Sequence, residues 1–461
     1  MIYTQMFGRA LSNAEWDFNF ESLALRYKLL TGEDMPVTLR RNLSRPLTNL
    51  EMDSNFQSLD QVLSRLEYGE GHYPAFDQAF QGAQFLDPRF TFARSSTATY
   101  VDDAGLHTAA VNVPVFEGGL RVRPVETNLL LQSEAPDVAP WGGSGTVDLE
   151  NVGTLPGSAA AKIWRFTRTS ETVPLSRRQQ VFTGLSGNVT FSALCFKGNN
   201  AAVGFTVTRV GSVTGTYAIY LNTETGVFTH PSQTYIVGAG YKPMLGGHLI
   251  WAALNLTETD LAYLQLAPDV TQAGGVGTYQ DYATPRVNPG TGPIPYIPTT
   301  SAAVTRAADN VSIAGENFAS IYNAREGAIV WEGVLNGAAT NGYLYGINDN
   351  TTSAFLAHNI ANIANTVIYC YGAQSTPIDL SSFDGTRVKS AVCWKGGVAS
   401  FFCNGVARGL SRAITADMSV ATQLRLGSLT TSASYRAPST ATRTRIFRTR
   451  PTDAQMLAMT T

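Results

Sequence analysis

"DGTRVKSAVCWKGGVASFFCNGVARG", Asp384–Gly409, reads as three short strands separated by two tight turns. Gly396-Gly397 makes the first turn and Asn404-Gly405 the second. Asn-Gly is the strongest short hairpin signal, because both central residues of such a turn need positive φ. Two hairpins in a row commit this part of the chain to an antiparallel sheet. Outward from it the pattern continues. "EGAIVWEGVLN" (Glu326–Asn336) alternates as a strand, and "LRLGS" (Leu424–Ser428) reads as another. "TRTRIFRTRPTDAQMLAM" closes the chain as a strand and then a short helix capped at Thr452.

Upstream the period is again two. "GNVTFSALCFKG" (Gly187–Gly198) reads as a core strand. "FTVTRVGSVTGTYAIYLNTETGVFTH" (Phe205–His230) reads as a meander with turns at Thr214-Gly215 and Thr225-Gly226. "HLIWAALNL" (His248–Leu256) and "LAYLQLAPDV" (Leu261–Val270) complete a second set. Alternation, frequent glycine turns and no long helix predict a β-sandwich here too. "FTFARSSTATYVDDAGLHTAAVNVPVFEGGLRV" (Phe90–Val122) reads as short strands, with turns at Asp103-Ala104-Gly105 and Gly118-Gly119. Pro289, Pro293, Pro295 and Pro298 make the following stretch a stiff, extended connector.

The first 70 residues are different. "RALSNAEWDFNFESL" (Arg9–Leu23) and "RPLTNLEMDSNFQSL" (Arg45–Leu59) share one pattern at an offset of 36 residues. Ser12 with Glu15, and Thr48 with Glu51, form capping boxes. Leu11 staples onto Trp16, and Leu47 onto Met52. The apolar rows then step by four and three: Trp16, Phe20, Leu23, Tyr27 and Leu30 in the first copy, Met52, Phe56, Leu59, Leu63 and Leu66 in the second. Two readings are open: a self-contained hairpin, or a docking and oligomerisation module whose rows are covered by other chains. Gly32 and Pro36 break the segment between the copies.

The fold class expected is mainly β: a short α-helical N-terminal anchor followed by two antiparallel β-sandwich (jelly-roll) domains. The divisions are a helical segment at 1–70, a strand-rich connector at 71–134, one sandwich at 135–300 and another at 301–461. The 461 residues suit about three domains at roughly 150 each.

Composition excludes some functions. Net charge is −2 and charged residues make up 15%, so no basic excess points to nucleic acid. The N-terminus lacks a positive region followed by an apolar one, and no stretch approaches the length of a membrane span. Neither a signal peptide nor membrane insertion is expected. Cys195, Cys370, Cys393 and Cys403 form no C-x-x-C pair, and no metal site is expected. Cys393 and Cys403 fall on neighbouring strands, as a disulfide or as buried free thiols.

Several strings resemble known families. "RSSTATYVDDAGLHTAAVNVPVFEGGLRVRPVETNLLLQSE" closely resembles a module of tailed-bacteriophage structural proteins. "PYIPTTSAAVTRAAD" resembles the string that ends the same module, and "RPLTNLEMDSNFQSL" resembles the start of phage tail-fibre proteins. Residues 135–300 look like a carbohydrate-binding-module-like sandwich. "DGTRVKSAVCWKGGVASFFCNG", "LRLGS" and "RIFRTRPTDAQML" resemble pieces of the laminin-G/concanavalin-A-like jelly roll, covering 315–461.

Catalytic patterns are missing from the sequence. Glu326, Glu332, Asp349 and Asp384 are isolated acids, without the paired carboxylates of a glycosidase. His358 and His248 have no G-x-S-x-G elbow to serve. Asn348, Asp349 and Asn350 offer oxygen ligands for calcium or form a polar hairpin turn. Sugars stack on aromatic rings, so Trp141, Tyr343, Tyr345, Tyr369 and Tyr371 near loops are the candidate glycan contacts. Trp164, Trp251, Trp331 and Trp394 lie in strand patterns, where core packing is the default.

The resemblance implies a non-enzymatic virion protein of the tail, fibre or baseplate, needing no cofactor. It would be assembled in the host cytoplasm as a homotrimer. Leu11, Trp16, Phe20, Leu23, Tyr27, Leu47, Met52, Phe56, Leu59 and Leu63 would attach it to other tail proteins. The β domains would contact a host-surface polysaccharide or receptor. A structural connector or decoration protein is the alternative, and a depolymerase the third.

Overall fold

The computed structural model describes residues 74–461 apart from 145–146, 171–175, 212, 272–273, 336–341, 352–353, 361–365, 371–372, 377–386, 416 and 431–435. The helical repeat, with the ten anchor residues named above, lies outside the described residues. What is described is mainly β, in two antiparallel sandwiches. Among the described residues no helix is long and apolar enough to cross a membrane.

The hairpins that anchor the C-terminal sandwich form as the sequence predicts. Lys395 pairs with Val398, and Cys403 with Val406. Gly396, Gly397, Asn404 and Gly405 have φ of 60°, 77°, 47° and 71°, the left-handed values such turns need. These strands join Glu326–Leu335 and Ser439–Phe447 in a seven-stranded sheet. A second seven-stranded sheet faces it, with Asn310–Ala314, Gln423–Leu426 and Gly342–Asn348 at its centre. Trp331, Phe401 and Ile446 of one sheet meet Ile347, Leu356 and Leu424 of the other in one core. The last helix, Asp453–Thr460, starts from a complete capping box between Thr452 and Gln455. It buries Met456 over the outer face of the first sheet, against Val330, Cys393 and Phe402.

The segment read as a connector belongs largely to this sandwich. Phe76–Ala79 pairs with Ser439–Phe447, with Phe76 opposite Ile446. Leu120–Val122 pairs with the same strand, and Thr91–Ala93 pairs with Asn310–Ala314. Phe76, Phe80, Phe90, Leu120 and Val122 are buried in the C-terminal core. Strands of three or four residues are too short to display alternation. Their partners also lie more than two hundred residues away, so local pattern cannot reveal them.

The other sandwich is an insertion. Its sheets have six strands each, one centred on Ala202–Val210 and Leu261–Leu266, the other on Gly187–Phe196 and Tyr279–Pro289. Phe205, Val207 and Leu264 face Phe191, Ile250 and Ala252 across its core. Chain enters it through Glu126–Asn128 and leaves through Val304–Arg306, and these two strands pair antiparallel. The whole sandwich is therefore the loop of a three-rung hairpin. The two strings with a family resemblance, 94–134 and 295–309, each contain one strand of that neck. Asn128 donates to the Ile297 carbonyl and accepts from Leu130 and Val287 N–H groups. Ser133 bonds Tyr296 Oη and the Thr299 amide. The proline-rich stretch is thus no free spacer: Ile294, Tyr296 and Ile297 are buried against the neck.

Below the neck lies a buried ionic cluster. Asp309 accepts from Arg94 Nη1 at 3.2 Å, from Arg306 Nη2 at 2.7 Å and from the Arg123 amide at 2.9 Å. Arg123 in turn pairs with Glu126. Burying that many charges is tolerable only because each one is paired.

Cys393 and Cys403 are free thiols. Cys393 faces the helix side of its sheet and Cys403 the inter-sheet core, so no bridge spans them. Burial pushes the two thiols up, to about 11 and about 12.

Candidate functional site

A groove of 830 Å³ runs between the sandwiches. Its floor is the outward face of the insertion's sheet, formed by Ile236–Met244, Gly247–Leu256, Gly187–Phe196 and Tyr279–Pro289 in that order. One wall is the hairpin Ala98–Asp102/Gly105–Ala109, and the loop 290–296 forms another. Leu335, Pro438 and Thr440 of the C-terminal sandwich close the far side.

Register places a row of four residues across this floor: Gly240 opposite Trp251, Trp251 opposite Ser192, Ser192 opposite Arg286. Directly opposite residues share a face, with Cβ atoms about 5 Å apart. Their chain neighbours Ile250, Ala252, Phe191, Ala193 and Val287 all point into the core, so the row points into the groove. Gly240 makes room for the indole: a Cβ there would meet the Trp251 ring at 2.4 Å. Trp251 is half-buried and lines the groove.

Arg286 is buried, and its Nη1 donates to the Ile294 carbonyl at 2.8 Å. Its guanidinium lies 5.9 Å from the Tyr296 ring centre. Burial lowers its pKa to about 10, which leaves it a cation at neutral pH. Ser192 Oγ, Arg286 Nε and Asn288 Oδ1 are buried with no hydrogen-bond partner among the described residues. Lys242, Arg121, Arg123 and Arg286 line the groove against two carboxylates, Glu117 and Glu126. The groove thus offers an aromatic face and a cationic balance, with orphaned polar atoms buried in the strands of its floor, the ingredients of a polar-ligand site.

The hairpin wall is docked firmly. The Leu106 amide donates to the Pro156 carbonyl at 2.7 Å, and Thr99 Oγ1 donates to the Tyr296 carbonyl. Gly105 has φ +136°, and a Cβ there would meet the Pro156 oxygen at 2.1 Å. Leu106 packs with Leu155, Leu194 and Ala283 beneath.

Glu134 sits behind Tyr296. Its carboxylate accepts from the Tyr296 hydroxyl and from the Lys162 amide. Burial pushes this carboxyl up to about 7, against the pull of the Lys162 amide and ammonium. The folded chain therefore holds the proton more tightly than the unfolded one, whose glutamate ionises near 4.5. This contribution is full below about pH 4.5 and is lost as pH rises to about 7, on the order of 2–3 kcal/mol. Urea midpoints measured across that range are expected to fall with rising pH, and Glu134→Gln is expected to flatten the fall.

The aromatic contacts proposed from sequence lie elsewhere. Trp141 is buried in the insertion core, with Nε1 donating to the Gln132 carbonyl. Tyr343 and Tyr345 are buried in the C-terminal sandwich, and Tyr345 Oη accepts from Ser390. None of these three rings offers a face to a ligand, because each fills the interior next to its loop. Tyr369 is on the strand Thr366–Cys370, opposite Ala357; Tyr371 lies outside the described residues. Trp251, by contrast, was expected in a core and lines the groove. Its strand is apolar on both faces, so alternation alone could not say which face stays open.

Several of the remaining candidates are committed to structure, and Asp384 lies outside the described residues. Glu332 is buried between Arg387 and Arg445, and Glu326 pairs with Lys395. His358 is buried with no partner on either ring nitrogen, and burial lowers its pKa to about 3, so it is neutral. Asn348 is buried and bonds Leu429 and Gln423, while Asp349 caps Thr351 and Asn350 takes φ 71°. That is the geometry of a polar hairpin turn. Among the described residues no three His, Cys, Asp or Glu side chains converge.

No known family pattern matches the chain, and no curated protein is significantly similar to it. Solved structures do align. The carbohydrate-binding module CBM40 of the Ruminococcus gnavus IT-sialidase, bound to α2,3-sialyllactose, is 14% identical over 32% of this chain and 88% of its own, with a TM-score of 0.26. Trypanosoma rangeli sialidase with the inhibitor DANA is 7% identical over 80% and 94%, with a TM-score of 0.27. Mouse laminin α1 domains LG4-5 are 13% identical over 72% and 91%, with a TM-score of 0.20. Likeness at this level has no bearing on what this chain does.

Proposed function

We propose that the chain is a non-enzymatic, glycan-binding structural protein of a bacteriophage tail, as fibre or baseplate appendage. Residues 1–70 attach it to neighbouring tail proteins and assemble it as a homotrimer in the host cytoplasm. The two sandwiches then hold the groove toward a bacterial surface polysaccharide. The phage-like strings that contain the neck strands support the setting. The observation that carries the binding is the groove row Trp251–Ser192–Arg286. An indole presents an apolar face to a sugar ring, and beside it a hydroxyl without a partner among the described residues and a guanidinium held by one neutral carbonyl are suited to sugar hydroxyls and charge.

Binding of the full chain to isolated host surface polysaccharide tests the reading. Trp251→Ala is expected to weaken that binding by ~10- to 30-fold, the scale of one buried anchor residue. The ring is partly buried against Gly240, so the thermal transition should fall while staying cooperative, and binding is compared below the lower of the two transitions. Unaltered affinity in this variant would move the site away from the groove. No binding by the wild-type chain would favour a purely structural connector.

A further inference from the structure

The groove's polar atoms narrow the ligand class. A buried guanidinium is ordinarily matched by a carboxylate, because an unpaired buried charge is costly. This chain follows that rule repeatedly: Arg94 and Arg306 on Asp309, Arg209 on Asp260, Arg445 on Glu332. Arg286 departs from it, as Arg168, Arg425 and Arg436 do elsewhere, and of these four only Arg286 lines the groove. Among the described residues no carboxylate pairs with Arg286, and its one hydrogen bond goes to a neutral carbonyl.

The atoms around it repeat the omission. Ser192 Oγ, in the next register position, has no partner. Asn288 spends Nδ2 on the Pro289 and Gly292 carbonyls and leaves Oδ1 bare. Lys242 is exposed at the groove's rim.

We propose that the groove takes an anionic saccharide, a sugar carrying a carboxylate or a sulfate ester, whose charge is met by the Arg286 guanidinium. Its ring lies against Trp251. A guanidinium presents its donors in a planar fork that suits either group. This rests on the groove being the glycan site and goes further by assigning the charge of the sugar.

The test compares the full-length chain on matched oligosaccharides in three arms: galactose oligomers, galacturonate oligomers and sulfated galactose oligomers. At least one anionic arm should bind tenfold or more tightly than the neutral one. Which arm does so separates carboxylate from sulfate. Arg286→Met, which keeps the bulk and drops the charge, should erase that preference, whereas Trp251→Ala should weaken whichever arms bind. The variant should fold at least as stably as wild type, because an unpaired buried cation is gone. Equal binding of all three arms to wild type overturns the anion proposal and leaves the groove as a glycan site. Silence in all three arms overturns both. A preference that persists in Arg286→Met while Trp251→Ala abolishes binding places the anion's partner elsewhere and also overturns it.

Discussion

Asp309→Ala is expected to lower stability by about 3–5 kcal/mol, the scale of breaking a buried ion pair. Asp309 is 1% exposed and meets three groups at once: Arg94, Arg306 and the Arg123 amide. Its own carbonyl also accepts from Arg436 Nη1 at 2.6 Å. Truncation leaves the Arg94 guanidinium, itself fully buried, with no counter-ion. Burial already lowers the Arg94 pKa, and Asp309 is the group that offsets this. Arg306 keeps its bonds to the Pro124 and Ala307 carbonyls, but its charge is left with a longer contact to Glu126, at 3.9 Å. Asp309→Asn keeps acceptor oxygen without charge, so it should cost less than alanine. Denaturant midpoints of both variants check the order. A loss under about 0.5 kcal/mol for Asp309→Ala would mean the cluster is solvated in solution.

A larger effect is expected from cutting the chain at the boundary the sequence suggests. A fragment of residues 301–461 is expected not to fold. It lacks Phe76, Phe80, Phe90, Leu120 and Val122, all buried in its core. Each such side chain contributes about 1.5–3 kcal/mol, so the loss matches the whole stability of an ordinary domain, about 5–15 kcal/mol. The fragment also exposes one edge of the Ser439–Phe447 strand, along which Phe76–Ala79 and Leu120–Val122 pair, the other edge being held by Glu326–Leu335. In contrast, residues 74–128 joined by a short turn to 304–461 should fold. Asn128 and Val304 already sit opposite each other, so a tight turn closes them. Dispersed NMR amide signals and a cooperative melt distinguish the two. A cooperative melt from 301–461 alone would refute the shared core.

What local chemistry dictates was legible in the sequence. The Asn404-Gly405 turn and the Thr452–Gln455 cap each depend on residues a few positions apart, and both stand as read. The sandwich at 135–300 followed from alternation and glycine turns, and the C-terminal one from its hairpins together with a resemblance to the laminin-G/concanavalin-A-like jelly roll. What depends on distant partners was not legible. Short strands at 76–122 reveal themselves only through partners such as Ile446 and Val311. Trp251 was hidden because Leu249 and Ala253 beside it on the outward face are as apolar as the core positions. The thiols are a different case. Cys403 lies opposite Ser390 and Cys393 opposite Ser400, so hairpin register puts the two sulfurs on opposite faces. That was readable from the turn at Gly396-Gly397.

The three-rung neck at Glu126–Asn128 and Val304–Arg306 has a consequence for how such a protein changes over time. A host domain whose backbone closes behind its guest does not register what the guest is. The guest cassette can be traded for another while the base and its ionic lock stay as they were. A lineage can then exchange the inserted sandwich in one recombination step instead of reshaping it residue by residue.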